Sequence, residues 1–309
     1  MLIEHRQSLE RRIGLGVPRG WWPNAASLKG IEAAGFRWTQ VFAPGVEMLA
    51  NPRHCIRHST ALRRALETTE LSCVLHAPPG LRLGSAMHDR AFEGLLEYAH
   101  QIGSRHVVYH ALDFARRGEE AADEERSLRR LAGVAETLRA AILVENLCPR
   151  QPGPPNLCHD PLSLRHLVRR IGSPACAMLF DLGHANVVAG VMRVELMALL
   201  EPVLGHVGAF HVHDNFGARL DGEGGATHDP LRLDLHLAPG SGSLPWESVR
   251  PALLAHPAPL LLEVHPAHRP QPATLHDIAV SVIGGREAPD QEMAPDAVSA
   301  RTTVPSASR

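Results

Sequence analysis

Residues 176–215 read CAMLFDLGHANVVAGVMRVELMALLEPVLGHVGAFHVHDN, and this stretch decides the fold. An apolar run ends at Asp181, a helical pattern follows, and a second apolar run ends in polar residues at His211 and His213. A strand, a helix and a second strand of these lengths form one repeating unit of a parallel sheet.

The same alternation extends in both directions from this unit. It predicts eight strands, at 12–17, 38–42, 71–76, 106–110, 141–146, 176–181, 206–213 and 259–264. Eight βα units close a barrel of about 250 residues. We therefore predict the α/β class and a single (β/α)8 TIM barrel over residues 12–275, with an N-terminal arm over 1–11. Residues 276–309, rich in Ala, Pro, Ser and charges, are predicted to be a disordered tail.

Composition excludes several classes of protein. A net charge of −2 gives no support to generic nucleic-acid binding. We expect no secretory signal and no membrane span, because neither the polar start of the chain nor any long apolar run fits one. Five cysteines without a C-x-x-C pair indicate reduced thiols and a cytoplasmic protein. The single lysine, Lys29, lies in the predicted first helix, which argues against Schiff-base aldolase chemistry.

The chemistry is indicated by polar residues at the ends of six consecutive predicted strands. Side chains at the carboxyl ends of barrel strands converge on the mouth of the barrel. Three carboxylates, Glu145, Asp181 and Glu263, would converge there, and their burial is costly unless a cation or a hydrogen-bond donor compensates it, for which a divalent cation is the economical choice. The mixed oxygen and nitrogen donors suit Mn²⁺, Mg²⁺, Co²⁺, Fe²⁺ or Zn²⁺. The strand-end residues are His76, His110, Glu145, Asn146, Asp181, His184, His211, His213, Asp214 and Glu263.

Seven short runs resemble one known superfamily. They are LHAPP (75–79), VVYH (107–110), LVENL (143–147), FDLGHAN (180–186), HVHDN (211–215), HLAPGSGSLPW (236–246) and LLLEVHP (260–266). Together they resemble the xylose-isomerase-like TIM barrels, and within these the sugar phosphate isomerase/epimerase group. That group shares its domain family with the zinc-type AP endonucleases. The resemblance covers about residues 12–265.

The resemblance to the isomerases implies a function and a ligand set. Glu145, Asp181, His211 and Glu263 match the four ligands of their single divalent metal. Glu145 and Glu263 also match the acid/base pair that moves a proton between substrate carbons, and His184 matches a substrate-binding histidine. The expected activity is isomerisation or epimerisation, through an enediolate, of a sugar, sugar phosphate, polyol or keto acid.

The endonuclease pattern remains open as an alternative. It requires His76, His110 and His184, and an Asp-x-His that Asp234 and His236 supply. This alternative is a multinuclear zinc phosphodiesterase acting on abasic DNA or a small phosphodiester. Nucleic acid is an expected partner under this alternative alone. His236 also fits the H-L-x-P-G-x-G turn of the isomerases, and His213 begins an H-D-N run that favours them. The substrate, the metal and the oligomeric state are left open.

Overall fold

The strands form a closed parallel barrel, confirming the predicted fold class. The computed structural model describes residues 8–111, 119–149, 157–218 and 234–285. Each strand pairs with the next, and the eighth pairs with the first. The strands are β1 (Ile13–Gly16), β2 (Trp38–Phe42), β3 (Ser72–His76), β4 (His106–Tyr109), β5 (Ala141–Glu145), β6 (Cys176–Asp181), β7 (Val207–Val212) and β8 (Leu260–Leu262).

Helices surround the barrel and return the chain from the end of one strand to the start of the next. Among the described helices, none has both the length and the apolar character needed to cross a bilayer. Short 3₁₀ helices cover Glu201–His206 and Pro266–His268. The α-helices are α1 (Ala25–Ala33), α2 (Val46–Leu49), α3 (Pro52–Leu66), α4 (Ala86–Gln101), α5 (Glu119–Thr137), α6 (Pro161–Ile171), α7 (Leu182–Met192), α8 (Leu196–Leu200), α9 (Trp246–Ala255) and α10 (Pro272–Gly284).

The interior of the barrel is a packed layer of aliphatic side chains. Alternate residues of a strand point inward, so each strand contributes a side chain at a similar height. A filled interior places the chemistry at the mouth of the barrel, above this layer. The layer consists of Val74, Val108, Leu143, Leu179, Ala209 and Leu261, all fully buried.

Local sequence sets where helix α6 begins and ends. The Asp160 carboxylate accepts hydrogen bonds from the backbone N–H groups of Leu162 and Ser163, at 3.1 and 3.2 Å. Pro161 occupies the first helical position, where no N–H partner is needed. The helix ends at Gly172, whose φ of 68° places it in the left-handed region.

The chain ends differ from the predicted boundaries at 11 and 275. Helix α10 continues to Gly284 and buries Leu275, Ile278 and Ile283, so the predicted tail over 276–309 was wrong for its first part. The apolar residues recur at helical spacing, which the surrounding small and polar residues obscured. Leu9, in the predicted arm, is only 2% exposed and packs into the core. Residues 1–7 and 286–309 lie outside the described part.

Replacing Ile278 with alanine tests whether α10 is part of the barrel core. The side chain is 1% exposed, so Ile278→Ala should lower the free energy of unfolding by about 2–5 kcal/mol. Urea denaturation followed by circular dichroism measures the change. Asp277→Ala is the matched control, because its side chain is 74% exposed and should change stability by less than about 0.5 kcal/mol. Equal stability of both variants would show that the helix does not dock.

Candidate metal centre

The predicted strand-end residues meet at the carboxyl end of the barrel. His76, Glu145 and Asp181 are the last residues of β3, β5 and β6. His110 and Glu263 each follow their strand by one residue, and His211 lies opposite Asp181 in the register of β7 with β6. The parallel register therefore brings side chains from distant parts of the sequence to one height.

Glu145 is the common member of two groups of potential ligands. It is 1% exposed. Its Oε2 lies 2.9 Å from Nε2 of His110 and 3.3 Å from Nε2 of His76. Its Oε1 lies 3.1 Å from Nδ1 of His211, and Oδ2 of Asp181 lies 3.5 Å from the same nitrogen. His76, His110 and Glu145 form one group, and Glu145, Asp181 and His211 form the next.

A third group lies beside Asp181, on the side away from His76. It comprises His184, His213, Asp234 and His236. Oδ2 of Asp234 lies 3.2 Å from Nε2 of His236 and 3.5 Å from Nε2 of His184. The rings of His213 and His236 stack with centroids 3.8 Å apart. Nε2 of His213 also lies 3.1 Å from Oδ1 of Asp181, which connects this group to the second.

Three histidines in these groups are held by a backbone carbonyl through Nδ1. The acceptors are the carbonyl oxygens of Ala77 for His76 at 2.7 Å, of Asn146 for His184 at 2.9 Å, and of Glu263 for His236 at 2.6 Å. A carbonyl can only accept, so Nδ1 carries the proton and Nε2 of the neutral ring presents a lone pair to its group. Metal-ligating histidines are held in this way.

The buried charges of the centre stabilise one another. Burial alone would raise the pKa of Asp181, but His184 and His213 outweigh it and hold the pKa well below its ordinary value. Burial likewise would lower the pKa of His236. The hydrogen bond and charge of Asp234, with the charge of Glu263, raise it to about 9 instead. The carboxylates therefore need adjacent positive charge, from ring protons or from a cation.

Buried atoms without hydrogen-bond partners show where a cation would fit. Oδ2 of Asp181, Oδ1 of Asp234 and both ring nitrogens of His213 are buried without such a partner. A buried polar atom left unpaired costs about 1–3 kcal/mol. Carboxylate oxygens and imidazole nitrogens are donors for Zn²⁺, Mn²⁺, Fe²⁺ and Co²⁺. The residues present thus fit a divalent metal.

Asp214 fixes the chain that carries Asp234 and His236. Its backbone forms an antiparallel bridge with Leu237, with both hydrogen bonds at 2.9 Å. Its carboxylate accepts hydrogen bonds from Nε1 of Trp246 at 2.9 Å and from the backbone of Gly240 at 2.9 Å. Between Asp214 and Asp234, residues 219–233 lie outside the described part.

Two glycines are required by close approaches within this centre. A Cβ on Gly183 would lie 2.0 Å from Cε1 of His213, so the D-x-G-H run makes room for that ring. A Cβ on Gly242 would lie 2.3 Å from the backbone oxygen of Asn215 and from Oδ1 of Asp214. These contacts explain the glycines in FDLGHAN and in the P-G-S-G turn.

Glu263 stands apart from the other predicted ligands. Its Oε1 lies 3.4 Å from Nε2 of His211, whereas Glu145 and Asp181 face Nδ1 of the same ring. Its side chain is 15% exposed. A cavity of about 310 Å³ opens at this point, and its wall includes Phe42, His236, Glu263, Arg19 and Arg269. Glu263 is therefore the predicted carboxylate that borders open space.

Gln40 is a site residue that sequence reasoning missed. It lies in β2, is fully buried, and accepts a hydrogen bond from Nε2 of His211 at 2.8 Å. Its amide nitrogen donates to Oε1 of Glu263. The sequence feature that could have identified Gln40 is its polar amide within WTQVF, a strand whose other residues are expected to be buried. Gln40 lies in the middle of β2 and therefore is not one of the strand-end residues from which the site was predicted.

Comparison with known proteins agrees with this architecture. No curated protein matches the chain. A D-tagatose 3-epimerase-like protein is 19% identical with a TM-score of 0.66, covering 88% of this chain and 96% of its own. A 3-keto-D-glucoside 4-epimerase from E. coli is 15% identical with a TM-score of 0.63, covering 86% and 96%. A xylose isomerase domain protein from Alicyclobacillus acidocaldarius is 18% identical with a TM-score of 0.62, covering 88% and 98%. Residues 28–281 match the family described as xylose isomerase-like TIM barrel, and the chain belongs to that family.

Proposed function

We propose that the protein is a divalent-metal-dependent isomerase or epimerase of a sugar or a related polyol or keto acid. The observation that carries this proposal is the position of Glu263. It borders the cavity and contacts one edge of His211, while the opposite edge faces Glu145 and Asp181. The carboxylate proposed to move the proton thus lines a small cavity and also contacts His211, a residue proposed to bind the metal.

The size of the cavity supports a small substrate. A volume of about 310 Å³ lies at the lower end of the ~300–1,000 Å³ range of ligand pockets. Phe42 offers an apolar surface, while Arg19, His236 and Glu263 offer polar groups for hydroxyls. The structural neighbours named above as sugar epimerases are consistent with such a substrate.

The metal would be held by Glu145, Asp181 and His211, and Glu263 lines the cavity in which the substrate would bind. A divalent cation there supplies Lewis-acid polarisation of a carbonyl oxygen, which makes the neighbouring C–H more acidic. Glu263 accepts that proton on its carboxylate and returns it to the adjacent carbon, while the hydroxyl proton passes to the former carbonyl oxygen, so the substrate changes isomer without net loss of a proton. The cavity wall orients the substrate for this transfer.

Glu145, the other member of the predicted acid/base pair, is more confined. Its side chain is 2% exposed, and both oxygens already face histidine nitrogens. One carboxylate acting alone on one face of the substrate gives 1,2-isomerisation, whereas inversion at one carbon requires a donor on each face. The confinement of Glu145 favours isomerisation within the proposed class.

A second candidate function is a multinuclear metal phosphodiesterase. The specific observation in its favour is the presence of three adjoining ligand groups, of which the single-metal reaction uses one. His76 and His110 both point Nε2 at Oε2 of Glu145, as shared ligands of an additional cation would. Several adjacent cations stabilise the attacking and leaving oxygens of a phosphoryl transfer.

Removing single carboxylate charges tests the metal centre itself. Glu145→Gln and Asp181→Asn should each lower the bound divalent metal, because an amide is a much weaker ligand than a carboxylate. Metal analysis by mass spectrometry of protein purified without chelator measures the content. Glu67→Gln is the control, since that side chain is 62% exposed and belongs to none of the groups. Wild-type metal content in both site variants would rule out the centre.

Proton exchange tests the isomerase or epimerase reaction. Metal-loaded protein should incorporate solvent deuterium into an aldose, ketose or keto acid at the carbon beside the carbonyl. Glu263→Gln should reduce this incorporation by about 10²–10⁴-fold, the usual contribution of a general base. Proton NMR of a panel of such substrates in D₂O provides the measurement. Exchange that persists at the wild-type rate in Glu263→Gln would remove this carboxylate from the reaction.

His76 and His110, which the single-metal proposal does not use as ligands, distinguish the two candidate functions. Under the single-metal proposal, His76→Ala and His110→Ala should leave metal content unchanged and mainly alter turnover or KM. Under the phosphodiesterase alternative, each should remove at least one equivalent of zinc and abolish cleavage of an abasic-site duplex or bis(p-nitrophenyl) phosphate. The exposed His54→Ala is the matched control. Zinc loss in both site variants would overturn the isomerase proposal.

A further inference from the structure

We propose that Gln40 is a positioning residue that decides which ring nitrogen of His211 faces the metal-binding carboxylates. The inference rests on the proposed metal centre and adds to it a residue from β2. The side chain of Gln40 lies between Glu263 and His211, and its amide contacts both. A primary amide has one accepting end and one donating end, so it can impose a direction on a chain of hydrogen bonds.

The carboxylate of Glu263 determines the orientation of this amide. An ionised carboxylate can only accept, so the amide nitrogen of Gln40 must face Oε1 of Glu263. The amide oxygen then faces Nε2 of His211, 2.8 Å away. The reverse orientation would place two oxygens against each other. The contacts leave one arrangement for the Gln40 amide.

The amide in turn determines the tautomer of His211. Because the Gln40 oxygen can only accept, Nε2 of His211 must carry a proton. In the neutral ring Nδ1 is then the bare nitrogen. It lies 3.1 Å from Oε1 of Glu145 and 3.5 Å from Oδ2 of Asp181. In the opposite tautomer, a hydrogen on Nδ1 would occupy the direction in which a cation binds.

Gln40 differs in this respect from the carbonyls that hold the other histidines. His76, His184 and His236 are each held through Nδ1 by a backbone oxygen, which no substitution can remove. His211 is held through Nε2 by a side chain, and the same side chain holds Glu263. The proposed metal ligand and the proposed proton-moving group are therefore linked through one fully buried amide.

Zinc titration against a chelator of known affinity tests this role without using a substrate. Gln40→Met removes both ends of the amide and should weaken zinc binding by roughly 10–100-fold, the usual effect of losing such a ligand-orienting group. The titration resolves more than one zinc site, and the site affected by Gln40→Met should be the same one that disappears in His211→Ala. Gln40→Glu keeps an oxygen for Nε2 of His211, and a proton shared with the Glu263 carboxylate replaces the amide N–H, so zinc binding should weaken less than in Gln40→Met. Gln101→Met is the matched control for replacing a glutamine with methionine, because Gln101 lies on α4 and is hydrogen-bonded to Ser59.

The position of the proton on the His211 ring can be measured directly as a second test. Long-range ¹H–¹⁵N correlation spectra of the zinc-loaded protein distinguish protonated from bare ring nitrogens. We expect Nε2 of His211 to carry the proton in the wild type and in Gln40→Glu, and this signature to be lost in Gln40→Met. Wild-type zinc affinity in Gln40→Met, or equal weakening in Gln40→Glu, would overturn the role of Gln40 alone. A wild-type protein that binds none of Zn²⁺, Mn²⁺, Co²⁺, Fe²⁺ and Mg²⁺ would overturn the metal-dependent function as well.

Discussion

The burial of Glu145 beside Asp181 is the constraint on which the centre depends. The two carboxylates are 1% and 0% exposed, and both face Nδ1 of His211. Buried like charges repel strongly, because the interior screens them less than water does. Against the effect of burial, His184 and His213 hold the pKa of Asp181 below its ordinary value, and Glu263 and Glu145 raise the pKa of His211. Such an arrangement is stable only with added positive charge, either as ring protons or as a bound cation.

Other groups at the carboxyl end of the barrel fix the orientation of these histidine rings. Backbone carbonyls accept from His76, His184 and His236, and Asp214 ties the segment carrying His236 to the end of β7. His236 itself has a φ of 48°, an uncommon conformation for a residue with a side chain. Such strain persists where surrounding contacts over-determine it, and here they include the bridge and the hydrogen bond to the carbonyl of Glu263.

The same geometry is compatible with two candidate functions, isomerisation or epimerisation of a sugar and cleavage of a phosphodiester. Glu263 has access to the cavity and lies at the Nε2 edge of His211, as the proposed movement of a proton requires. His76 and His110 share Oε2 of Glu145, as ligands of a further cation would. The difference between the candidate functions is thus a difference in how many of the three groups hold a metal, within one barrel and one set of residues.

Much of this protein follows from its sequence alone. The alternation of apolar runs and helical patterns determined the eight strands, because each element must bury one face. Strand ends lie at one mouth in any such barrel, so His76, His110, Glu145, Asp181 and His211 could be placed together before their contacts were known. The helix over 272–284 was missed in part because burial of its sparse apolar residues depends on distant neighbours.

Tertiary structure decided which atoms meet. A sequence does not say which edge of an imidazole faces a carboxylate, since that depends on ring orientation set by partners far along the chain. Only the closed barrel brings Gln40 within 2.8 Å of His211, a residue 171 positions away, and places Glu263 at Nε2 of that ring while Glu145 and Asp181 face Nδ1. Hydrogen-bond direction acts over about 3 Å, and closure of β1 against β8 is what brings these groups within that distance.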